Sequence, residues 1–128
     1  MFSSASESIV TDASGDATVY LTHGLSRKPN GFLVALKYTP GTIDTGATLT
    51  ITGESSGIPI ITKTNAGTAT VFYYPRELAN AVASPGATVA GTTESIPIKD
   101  ERIKVVVSSG GNVGAGSIEA FLLVNSPY

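Results

Sequence analysis

The chain has no cysteine, no tryptophan, one histidine and few charges, with Asp, Glu, Lys and Arg together making 14% of its 128 residues. Without cysteine there is no disulfide framework and no thiolate metal site, so stability rests on packing and synthesis in a cytosol is expected. Eight basic against ten acidic residues leave a net charge of −2. The one adjacent basic pair, Arg27-Lys28, falls in an expected turn. Nucleic-acid binding needs several cations on one face to displace counterions, so none is expected. No run of about 18 apolar residues is present, so neither a membrane span nor a membrane partner is expected. Met1 to Glu7 has neither a basic start nor an apolar segment and does not read as a signal peptide.

What is present is alternation. Phe32, Val34, Leu36 and Tyr38 recur with a period of two, as do Leu49 and Ile51, then Ile103, Val105 and Val107, then Ile118, Ala120, Leu122 and Val124. That period places every second side chain on one face of a strand, and glycine- and proline-bearing turns separate the bursts. About eight strands are predicted in a single domain, residues 1–128. The fold class is all-β, an antiparallel two-sheet β-sandwich or jelly roll with at most one short helix. The first eight or so residues, small and polar, are predicted to form a flexible arm. Pro75 to Ala83 is the segment compatible with a helix, with Pro75 at its first position and Leu78 four residues before Val82. Ile58-Pro59-Ile60 and Ile96-Pro97-Ile98 each place a proline where only an edge or a strand start tolerates one.

Charge at 14% is well below the roughly 25% usual in soluble domains, which favours a chain that covers part of its surface with copies of itself or a partner. Chemistry-bearing motifs are sparse. Asp44-Thr45-Gly46-Ala47 is similar to the catalytic loop of dimeric, viral-type aspartic proteases, in which two such loops share a proton and activate water. Its setting departs from that family, because Pro40 to Ile43 separates the loop from the preceding strand and Val106 to Gly110 fits the second element poorly. The alternative is a turn held by Asp44 with Gly46 at positive φ. Gly110 to Gly116 is glycine-rich, yet a strand rather than a helix follows and no lysine accompanies it. It therefore reads as a hairpin connection and not a phosphate cradle. His23 beside Gly24 reads as a loop residue, since no serine near it has the setting of a nucleophile. Asp100-Glu101-Arg102 reads as a charged turn with local ion pairing. Phe72-Tyr73-Tyr74 is read as core or subunit packing, with stacking on a sugar or base as the alternative. No catalytic, cofactor-binding or metal-binding residue is assigned, and no cofactor is expected.

Three segments, Gly31 to Tyr38, Thr48 to Glu54 and Glu101 to Val107, look like parts of small virion proteins of tailed bacteriophages, most of all the capsid decoration, or cement, proteins. The resemblance implies a β-module that forms dimers or trimers with itself, binds the major capsid protein and sits on the capsid exterior after synthesis in the host cytoplasm. It implies a structural role without enzymatic activity, bridging capsomers and stabilising the head. A carbohydrate- or receptor-binding module of a tail or fibre is the alternative, and a dimeric aspartic protease the third reading.

Overall fold

The computed structural model describes residues 2–22, 31–80, 88–98 and 100–123. Ten strands run through them: β1 (Phe2–Val10), β2 (Ala17–Leu21), β3 (Gly31–Thr39), β4 (Thr48–Gly53), β5 (Pro59–Lys63), β6 (Val71–Tyr73), β7 (Arg76–Asn80), β8 (Thr88–Ile98), β9 (Ile103–Ser108) and β10 (Ala115–Leu123). They form two antiparallel sheets. One follows the order β1-β10-β3-β8-β7, with β6 also paired to β3; the other is β2-β9-β4-β5. The expected β-sandwich is what the chain forms.

The alternating bursts supply the inner faces. Along β4 and β9 every second residue is buried, and the register sets Leu49 opposite Val107 and Ile51 opposite Val105. The facing sheet contributes Leu33, Leu36, Tyr38, Ile118, Ala120 and Leu122 to the same core. Each fully buried Leu or Ile stabilises the fold by roughly 1.5–3 kcal/mol relative to exposure. Both Ile-Pro-Ile segments place the isoleucines inward or against the core and the proline outward. Pro59 opens the edge strand β5, and Pro97 lies in the stretch of β8 beyond its ladder with β7.

Three expectations are corrected. The first residues are not an arm: Phe2–Val10 pair with β10 along the whole of β1, because Ala5 and Ile9 bury against the core and β10 supplies the ladder that serine-rich sequence alone does not promise. Arg76–Asn80 is a strand and not the start of a helix; Pro75 suits the entry to either, and the free edge of β8 decides. The strand count rises accordingly. The alternation of β3 also changes phase. Phe121 pairs with Ala35 but Leu122 with Leu33, so Val34 is an extra, bulged residue. Leu33, Leu36 and Tyr38 therefore face the core while Phe32 is 40% exposed.

His23, Arg27-Lys28, residues 81–87 with the last three residues of the expected helix, and Val124 lie outside the described residues.

Candidate interaction surface

One end of the sandwich is a knot of three loops, and it gathers two of the motifs singled out in the sequence, Asp44 to Ala47 and Gly110 to Gly116. The Asp44 N–H donates to the Gly110 carbonyl at 2.9 Å, and the Gly110 N–H donates to Gly15 O at 2.8 Å. Thr11, buried at the end of β1, locks the third side. Its hydroxyl donates to Gly111 O at 2.8 Å and accepts from the Gly114 N–H at 2.7 Å. Glycine is needed here for space. A Cβ on Gly15 would stand 2.8 Å from the backbone nitrogens of Gly110 and Gly111, and one on Gly41 only 2.1 Å from Ala115 O. The Gly110 to Gly116 segment is clamped by these backbone contacts but is not the expected hairpin connection: β9 belongs to the four-stranded sheet and β10 to the six-stranded one, so it carries the chain from one sheet to the other. Asp44 is exposed and opens a turn as expected, its carbonyl accepting from the Ala47 N–H at 3.1 Å, but Gly46 is not at the positive φ expected of it.

At the other end Glu101 and Arg102 of the Asp100-Glu101-Arg102 triplet pair across the fold rather than locally. The Glu101 carboxylate is buried and accepts from the Ser55 and Ser56 N–H groups, each at 2.9 Å, capping the loop after β4. Burial pushes its pKa up, but those donors and the Ser56 hydroxyl outweigh burial and hold it below the ordinary value. Arg102 makes a two-pronged ion pair with Glu54 and lies over the Tyr20 ring, 4.1 Å from its centre. Among the described residues no three His, Cys, Asp or Glu side chains cluster to hold a metal.

The two outer faces differ in chemistry. On the four-stranded sheet the register lines up Thr18, Val106, Thr50 and Thr62, with Tyr20, Lys104 and Thr52 beside them, a face largely of hydroxyls. On the six-stranded sheet, the row Ser6, Glu119, Lys37, Phe72 marks a boundary. On one side lie Ser8, Ser117 and Thr39; on the other, Leu123, Phe32 and Pro97 share a row, with Phe121 and the bulged Val34 between. Phe32, Phe72, Tyr74 and Leu123 are 40%, 48%, 63% and 36% exposed. Lys37 reaches over the Phe72 ring, 5.9 Å from its centre. Of the aromatic triplet only Tyr73 packs on the core, so packing accounts for one residue of three. The sequence shows the triplet but not Phe32 or Leu123, whose exposure follows from the bulge and the register.

No known protein family, no curated protein and no solved structure matches this chain.

Proposed function

We propose that this chain is a structural virion protein, a capsid decoration protein that associates with itself and bridges capsomers on the outside of a tailed-phage head. The observation that carries the reading is the aromatic outer face of the six-stranded sheet. A run of exposed apolar side chains bordered by serine, threonine and lysine is the usual mark of a protein-binding surface. The tail or fibre reading draws on the same exposed Phe72 and Tyr74, since two rings spaced along an extended strand suit stacking on sugars.

The mechanism is additive. A module seated across a capsomer boundary adds interface that opening the shell has to expose, at roughly 25 cal/mol per Å² of apolar area before ordering and desolvation are subtracted. Repeated over every boundary, a modest contact becomes a large resistance to internal pressure. None of this requires a reactive group.

Quantitative mass spectrometry of purified particles tests it. The expected result is many copies in head fractions, falling when Phe72 and Tyr74 are both replaced by serine. A few copies in tail fractions, with binding on a glycan array, would favour the fibre module instead. Cleavage of a substrate lost in Asp44→Asn would replace both with the protease.

A further inference from the structure

The strand β1 is the outer edge of the six-stranded sheet, and it is long, regular and unguarded. It pairs with β10 over nine positions without a register shift. The other edges are protected or short. β5 carries Pro59, Lys63 and a register irregularity, while β2 and β7 have five residues each. Free edges normally carry lysine, proline or a bulge because unpaired N–H and C=O groups recruit another strand. β1 has none of the three, only Glu7, and among the described residues its backbone makes no hydrogen bond outside the β10 ladder. Its outward residues Ser4, Ser6 and Ser8 are exposed and small, so nothing bulky holds a second strand away.

We propose that two copies of this chain pair β1 against β1, antiparallel, about a two-fold axis at Ser6, joining their six-stranded sheets into one. The occupant is a second copy because the strand is complementary to itself in one register above the others. Centring on Ser6 uses all nine residues and keeps core-side positions opposite core-side positions. Ser4 then faces Ser8 and Ala5 faces Glu7. Val10, 58% exposed in the single chain, comes opposite Phe2 of the partner subunit. Centring on Glu7 would set two carboxylates directly opposite, which is unfavourable. A centre between two residues would turn one copy's core side outward. The pairing deepens the self-association in the functional reading but does not depend on the capsid part of it.

The absence of cysteine makes the test direct. Residues directly opposite in an antiparallel ladder lie about 4.5–5.5 Å apart at Cα, within the range a disulfide spans. Ser6→Cys is therefore expected to give a covalent dimer under mild oxidation, and Ser4→Cys mixed with Ser8→Cys a covalent heterodimer. Thr18→Cys, exposed on the other sheet, is the control and is expected to remain uncrosslinked. Sedimentation of the unmodified chain is expected to give twice the 13.0 kDa chain mass. Ser6→Lys, with an unchanged thermal melt, is expected to return it to one chain mass. Crosslinking of Ser6→Cys no faster than the control, or a single-chain or trimeric mass for the unmodified protein, would overturn the pairing. These are solution measurements, so their failure is separate from an absence of copies on phage heads.

Discussion

The Arg76 guanidinium donates to the Val34 carbonyl at 3.1 Å, and Val34 is the bulged residue of β3. Along that side of β3, the ladder with β8 ends at Leu33 and the ladder with β6 begins at Leu36. Arg76 sits in the interval. The same nitrogen donates to Pro75 O at 2.7 Å, so one side chain closes the gap and fixes the passage from β6 to β7. Arg76→Ala is expected to cost about 1 kcal/mol, because the contact is charge-assisted yet open to water. Urea denaturation checks it: the midpoint should fall with little change in slope.

The bulge also marks how far the sequence could be read. β4, β9 and β10 were legible because each alternates without interruption, and the structure buries Leu49, Ile51, Ile103, Val105, Ile118 and Ala120 as their spacing requires. β3 has the same apolar character but gains a residue at Val34, and no residue type announces a bulge, so its outward and inward faces were exchanged at one end. β1 was missed for another reason. Serine and alanine carry little β-preference, and the strand exists because β10 offers a ladder and Ile9 a place in the core. The interaction face was half visible, as the Phe72-Tyr73-Tyr74 cluster. Its remainder, Phe32 and Leu123, depends on pairings between strands far apart in the chain. Glu101 shows the same limit: a carboxylate in a charged triplet looks solvated until the loop after Gly53 folds over it.

Two glycines at positive φ, Gly41 in the loop knot and Gly57 in the loop after β4, should divide by what surrounds them. Gly41 has φ +56 and no room for a Cβ beside Ala115 O, the same carbonyl that accepts from the Thr42 N–H at 2.9 Å. Gly57 has φ +71 but open space around it. Gly57→Ala is expected to cost about 1 kcal/mol, the strain of a left-handed alanine. Gly41→Ala adds displacement of backbone and is expected to cost roughly 3 kcal/mol or more. Parallel thermal or urea unfolding of the two variants gives the comparison, and equal losses would mean that the loop contacts add nothing.

Stability should fall in acid through Glu101. Its carboxylate is held below the ordinary value of 4.5 in the folded chain, so the folded state binds a proton less readily than the unfolded one. The contribution is therefore complete above about pH 4.5 and is lost as pH drops through the lowered folded value. Glu101→Gln keeps the shape but weakens two charge-assisted bonds to the Ser55 and Ser56 N–H groups. It is expected to lose about 1–3 kcal/mol at neutral pH and to show a flatter decline in acid. Urea midpoints from pH 7 to pH 3 for both proteins measure the difference.

At the opposite end of the pH scale the sensitive group is Tyr38. Its ring is wholly buried, and neither its hydroxyl nor that of Tyr73 has a hydrogen-bond partner among the described residues. Burial, and secondarily the neighbouring Tyr73, pushes its pKa from 10.0 up to about 12. The stabilising contribution is full below pH 10.0, where the unfolded chain is also protonated. It is lost as pH rises toward 12, because the unfolded tyrosine ionises first. Absorbance at alkaline pH should show this tyrosine titrating late, with unfolding close behind. Tyr38→Phe removes an unpaired buried hydroxyl and keeps the ring, so it is expected to raise stability at neutral pH by about 1 kcal/mol and to blunt the alkaline loss. A destabilised Tyr38→Phe variant would mean that the hydroxyl has a partner in solution, with a buried water between Tyr38 and Tyr73 the first place to look.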